Sequence, residues 1–170
     1  MTHNQRTVAV GAASGIAGMI ILVWGLAAVI SQPVIADTAA DRLAYALRWA
    51  VLPALTLLAM IAAVGNARFA SEAIDPTLGK ESRKMVVDGR VADNTTQQLL
   101  LFLVGMLALS VTLPVARLNV VAALAITFAI VRIAFWIGYR IKPVHRAFGF
   151  AATSYMNLGM LLASLWLWLR

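Results

Sequence analysis

Uncharged apolar stretches of membrane-spanning length dominate this chain and leave it few ways to fold. They run at Val8–Ile30, Trp49–Ala67, Asn94–Ala116 and Ala147–Leu169, and a fifth, Leu118–Tyr139, is interrupted only by Arg132. About 20 apolar residues in a helix cross a hydrocarbon core of roughly 30 Å. Lipid offers backbone polar groups no partner, so runs this continuous must be helices that close their hydrogen bonds internally. Composition agrees: 62% of residues are hydrophobic and 12% charged, with a mean hydropathy of +0.86, against roughly 25% charged residues in soluble domains. The sequence therefore predicts an all-α, multi-pass transmembrane bundle of five spans.

The first run has the flanks of a signal peptide, with Arg6 before it and Val34-Ile35-Ala36 after it. Its apolar stretch is longer than a signal core of about 7–15 residues, so it is read as a span. Lysines and arginines orient the bundle. Five spans place Arg6, Arg68, Lys80, Arg83, Lys84, Arg90, Arg140, Lys142 and Arg146 on one face, and Arg42, Arg48, Arg117 and Arg170 on the other, nine against four. The richer face is expected in the cytoplasm, with the N-terminus, in a bacterial inner membrane. Trp49, Trp166 and Trp168 then lie at the opposite interface, where amphipathic rings collect. The +7 charge is spread over short loops, which speaks against nucleic-acid binding.

There are no cysteines, which excludes disulfides, thiolate metal sites and an internal thiol nucleophile. His3 and His145 fall in separate segments, a poor arrangement for paired haem ligation. No metal site is expected. The segment from Arg68 to Asp93, with its Pro76–Gly79 turn signal, reads as a loop. Leu113–Arg117 is so short that the third and fourth helices must form a tight hairpin. Gly11, Gly15 and Gly18 make a small-residue face suited to close helix packing.

Polar residues that a membrane helix should avoid mark the candidate site. Arg90, Asn94, Gln97 and Gln98 recur at i, i+4, i+7 and i+8, which puts them on one helical face. Arg132, Phe135, Trp136 and Tyr139 recur at i, i+3, i+4 and i+7, with Arg140, Lys142, His145 and Arg146 just beyond. The hairpin makes the two faces neighbours. All seven acidic residues lie outside the apolar runs, so Arg132 lacks a carboxylate within the membrane. An intramembrane arginine costs roughly 2.5–3.5 kcal/mol on insertion scales and signals function by default. Two readings stand: an anion-binding pocket, or a structural arginine that snorkels to the nearby boundary or serves as interhelical glue by donating to Asn94, Gln97 and backbone carbonyls.

These residues resemble a known family. Arg90-Val-Ala-Asp-Asn94-Thr-Thr-Gln97 is similar to the Arg-x-x-x-Asn-x-x-Glu signature of the MAPEG proteins, the membrane-associated proteins in eicosanoid and glutathione metabolism. Arg132-Ile-Ala-Phe-Trp-Ile-Gly-Tyr139 and the downstream Arg146 resemble that family's arginine–tyrosine segment and following arginine, and Asn66-Ala-Arg-Phe69 is a weaker likeness. The resemblance implies a four-helix membrane domain over 43–170, preceded by an added helix and connecting loop over 1–42. It further implies a homotrimer that holds glutathione, the thiol co-substrate, between subunits and joins it to lipophilic acceptors or reduces lipid peroxides. Arg90, Asn94, Gln97, Arg132 and Tyr139 would bind glutathione, and Arg146 would stabilise the catalytic thiolate, since a nearby cation lowers a thiol pKa.

The sequence also departs from the family. Gln97 stands where the signature has Glu, removing a negative charge suited to glutathione's ammonium, and Gln98 and Phe135 each replace a frequent Tyr. Two functions stay open: a glutathione-dependent transferase or peroxidase, and a non-catalytic module that binds membrane lipid, or a partner membrane protein through the first helix.

Overall fold

The computed structural model describes residues 1–34 and 36–170. Ile35, in the signal-like Val34–Ala36 segment, lies outside the described residues. Five helices run through the chain: α1 (His3–Val29), α2 (Ala39–Phe69), α3 (Arg83–Thr112), α4 (Asn119–Ile141) and α5 (Ala147–Trp168). Each is long and apolar enough to cross a membrane, and no strand occurs among the described residues. Local chemistry sets their starts. Thr38 Oγ1 accepts from the Asp41 amide, and Asp41 Oδ2 accepts from the Thr38 amide, a reciprocal cap at the head of α2. The α2–α3 loop turns at Gly79, whose φ of 65° suits a residue without a Cβ. Arg68 closes that loop by donating to Glu81 at 2.6 Å and 2.9 Å.

One boundary differs from the expected loop. α3 begins at Arg83, behind a Ser82 cap, so residues 83–93 are helical. The segment looked like a loop because it is polar, but α3 extends beyond its apolar run, and Asp88 on it is 1% exposed. Arg42 ties the other end of the bundle together by donating to the carbonyls of Val111 and Leu113, the last turn of α3.

α4 is the central helix and touches the other four. Its buried residues Val121, Leu124 and Phe128 pack with Phe102 and Met106 of α3 and with Met156 and Met160 of α5. The Phe102 and Phe128 rings stand 4.5 Å apart. A smaller cluster at the arginine-rich end joins Met60, Val91, Phe135 and Tyr139. Small residues allow the close crossings: a Cβ on Gly149 would stand 2.5 Å from both Val131 O and Phe135 Cβ.

α1 packs against α5 and α4 of its own chain. The Gly11–Gly15–Gly18 face takes the start of α5, and a Cβ at Gly15 would overlap the Phe148 carbonyl oxygen. At the far end, Asn119 Nδ2 donates to the carbonyls of Ala27 and Ile30 at 2.7 Å and 2.9 Å, filling acceptors that the end of α1 leaves open. Gln32 links the same junction, donating to Ala116 O and accepting from the Asn119 amide. Gly15→Ala should therefore destabilise the protein by the roughly 1–3 kcal/mol typical of overpacking. Gly25→Ala, which meets nothing within 4 Å, should be neutral. Thermal unfolding in detergent tests the contrast, and equal midpoints would contradict this docking.

Candidate functional site

Arg132 is the largest fully buried side chain, at 0% exposure. Its partners are all neutral. Nη2 and Nε donate to Thr95 Oγ1 at 2.6 Å and 3.1 Å, Nη2 to Asn94 Oδ1 at 3.1 Å, and Nη1 to Thr153 Oγ1 at 3.3 Å. The guanidinium carbon lies 3.9 Å from the centre of the Phe135 ring, in cation–π range. Each threonine hydroxyl in turn donates a hydrogen bond to a helix carbonyl, Thr95 to Val91 at 2.7 Å and Thr153 to Gly149 at 2.9 Å. The charge is thus spread over hydroxyls and an amide from α3 and α5.

Above Arg132, towards the arginine-rich end, lies a cavity of about 410 Å³ lined by Arg90, Asn94, Phe135, Tyr139, Arg146 and Phe150. Asn94 and Phe135 form the boundary between the two regions, since both touch Arg132 and both line the cavity. Because Asn94 Oδ1 accepts from Arg132, its amide NH₂ is the group left to offer a ligand. Arg146 Nη1 donates to the Tyr139 hydroxyl at 2.7 Å. A phenol that accepts from a guanidinium keeps its own proton to donate, and the adjacent charge strengthens that donation. α5 starts beside the cavity at Ala147 without a side-chain cap, so its positive dipole end adds to the two guanidiniums. No acidic residue lines the cavity, so its lining is cationic.

The structure brings together Arg90, Asn94, Tyr139 and Arg146. Arg132 instead lies behind the cavity wall, where it orients Asn94 and underlies Phe135. Gln97 is exposed and lines neither this cavity nor Arg132's surroundings. The i, i+4, i+7, i+8 pattern spans too wide an arc for one site: Arg90 and Asn94 face the cavity, Gln97 points outward and Gln98 points into the α3–α5 seam. There Gln98 donates to Ser154 Oγ at 3.2 Å and accepts from Asn157 Nδ2 at 2.9 Å.

Sequence reasoning missed Asp88. Its carboxylate accepts two bonds from Arg140, at 2.6 Å and 2.7 Å, and one from Trp136 Nε1 at 2.7 Å. Trp136 therefore serves this ion pair, which braces α3 against α4 beside the cavity, and does not face Arg132's partners. The available signal was spacing: Trp136 and Arg140 are one turn apart, on the α4 face presented to the start of α3.

Removing the hydroxyl that accepts two of Arg132's bonds leaves a buried charge short of partners. Thr95→Val, close in shape, should cost about 2 kcal/mol, whereas Thr96→Val, at an exposed position, should cost far less. Unfolding midpoints in detergent measure both, and an unchanged midpoint for Thr95→Val would show that Arg132 does not depend on that hydroxyl.

Comparison with known proteins bears on the whole arrangement. The model of the MAPEG family matches residues 46–166, from the first turns of α2 to near the end of α5, leaving α1 outside the match. No curated protein and no solved structure matches the chain. The family is one of helical membrane bundles, in keeping with the five membrane-length helices. The chain is an integral membrane protein and belongs to the MAPEG family.

Proposed function

We propose that this protein is a glutathione-dependent transferase or peroxidase acting on lipophilic substrates held in the bilayer. The observation that carries the reading is the Arg146–Tyr139 pair, joined at 2.7 Å in the same cavity as Arg90 and Asn94. Two guanidiniums and an amide NH₂ suit glutathione's two carboxylates. A phenol proton backed by an arginine suits a thiolate, because both favour the ionised form of the thiol. In the transfer reaction the thiol proton leaves to solvent and the sulfur lone pair forms a bond to an electrophilic carbon. Addition to an unsaturated carbonyl sends the displaced π pair towards the carbonyl oxygen, and a proton from water completes the product. In the peroxidase reaction two thiols reduce one hydroperoxide to an alcohol and water and leave as a disulfide.

Membership of the family supports assembly into an oligomer, and we extend this to the homotrimer that the resemblance implies. Gln97, exposed on α3, is then placed to meet a neighbouring subunit. The excess of lysine and arginine supports a reading in which the cavity and the N-terminus face the cytoplasm from a bacterial inner membrane, within reach of a soluble thiol. A second reading, a non-catalytic site for an anionic lipid headgroup, is favoured by one observation. No carboxylate lines the cavity to meet glutathione's ammonium, whereas arginine forks fit phosphate oxygens without needing one.

Titration with glutathione in mild detergent, followed by conjugation to an electrophilic dye, separates the two readings. No binding at millimolar glutathione would sink the enzyme reading. If glutathione binds, Arg146→Ala should lower turnover more than affinity. It should also move the inflection of the rate–pH profile upward. The wild-type inflection lies below the thiol's ordinary value of about 8.5 because the cation stabilises thiolate, and removing that cation returns it towards this value. An inflection that stays in place would contradict the role given to Arg146.

A further inference from the structure

The arginine-lined cavity has a neighbour on the far side of Phe150. Arg90, Tyr139, Arg146 and Phe150 also line a second, larger space of about 640 Å³, a chamber that adjoins the first and has its own cationic end and an apolar extension. Val8 and Ala12 of α1 form one wall of the extension, and Ala151 and Tyr155 of α5 form another. Its volume lies within the range of about 300–1,000 Å³ that takes small organic ligands. Val8, Phe150 and Tyr155 are themselves exposed on helices of membrane-spanning length, so the chamber opens sideways, where lipid chains lie. The α1 wall is held in place, by Gly15 against the Phe148 carbonyl at one end and by Asn119 at the other.

We propose that α1 forms a wall of an acyl-chain site, in which a single-chain lipophilic electrophile of the 2-alkenal type lies between α1 and α5 with its carbonyl at Arg90, Tyr139 and Arg146. The donors and the apolar wall of the chamber together fit this occupant. Its apolar part takes the chain, and its cationic end takes the carbonyl oxygen, on which negative charge develops as a thiolate adds to the β-carbon. In that step the sulfur–carbon bond forms, the carbon–carbon π pair shifts to give an enolate, and the α-carbon takes a proton from water. The use of the bound chain as acceptor rests on the thiol-transfer reading given above; the chamber does not. α1 lies outside the family-matched residues, so acceptor selection by this wall is a property of this chain's own first helix.

Two measurements test the proposal and fail separately. Full-length protein in nanodiscs, irradiated with a fatty acid carrying a mid-chain diazirine, should be labelled chiefly within 8–12 and 150–155. Ala12→Trp and Val8→Trp, which fill the extension from different points, should each reduce that labelling several-fold. Even labelling of every lipid-facing helix, insensitive to both substitutions, would overturn the proposal. In the kinetic arm, kcat/KM for 2-alkenals from acrolein to dodecenal should rise by about fourfold per buried methylene. Both variants should collapse the dodecenal-to-acrolein ratio, and a ratio retained in both would overturn the role of α1. If the labelling follows the expected pattern but glutathione does not bind, the chamber stands and the thiol-transfer reading falls.

Discussion

A buried guanidinium without a counter-ion sets the terms for the arginine-rich half of this bundle. Arg132 is fully enclosed, and placing an arginine deep in a membrane helix is expensive. The cost is offset by many weak donations: two threonines and an asparagine accept from it, and Phe135 offers its ring face. Those acceptors sit on α3 and α5, so the charge on α4 fixes how the three helices meet. A carboxylate partner would have neutralised the charge. Hydroxyls that donate in turn to helix carbonyls leave the positive potential in place beneath the cavity. The positions of Asn94 and Phe135, and the cationic character of the cavity, follow from that choice.

The bundle was largely legible in the sequence because the bilayer enforces it. Five apolar runs become five helices, and Gly11, Gly15 and Gly18 lie against α5, as a small-residue face suggests. The cavity was legible in part. Arg90, Asn94, Tyr139 and Arg146 converge because a short hairpin joins α3 to α4 and a short link joins α4 to α5. Helical spacing places residues on a face but does not say how wide the facing groove is, so Gln97 and Gln98 fell to either side of it. Asp88 escaped because a charged residue in a polar segment reads as solvated. Only the helical continuation of α3 to Arg83 shows that it is buried against Arg140 and Trp136.

The two ion-supporting networks divide the work at this end of the protein. Asp88 and Arg140 cancel each other's charge and brace α3 against α4, so they leave little field in the cavity. Arg90 and Arg146 lack a carboxylate among the described residues and carry the field that an anion would feel. Such a separation lets the site remain strongly cationic while the helices that form it are held by a neutral pair.

The docking of α1 has a consequence for how the protein is made. α1 emerges from the ribosome early, yet its partners are Phe148 on α5 and Asn119 on α4, which are translated after α2 and α3. Until then its glycine groove lies open to lipid, and α1 holds its place in the bilayer as a lone, uncommitted helix. Closure of the bundle is therefore an event of late synthesis, in which the ends of the chain meet across the completed middle. A chain cut short before α5 would retain most of its spans but expose that groove, a close-packing surface open to any other membrane helix with a small face.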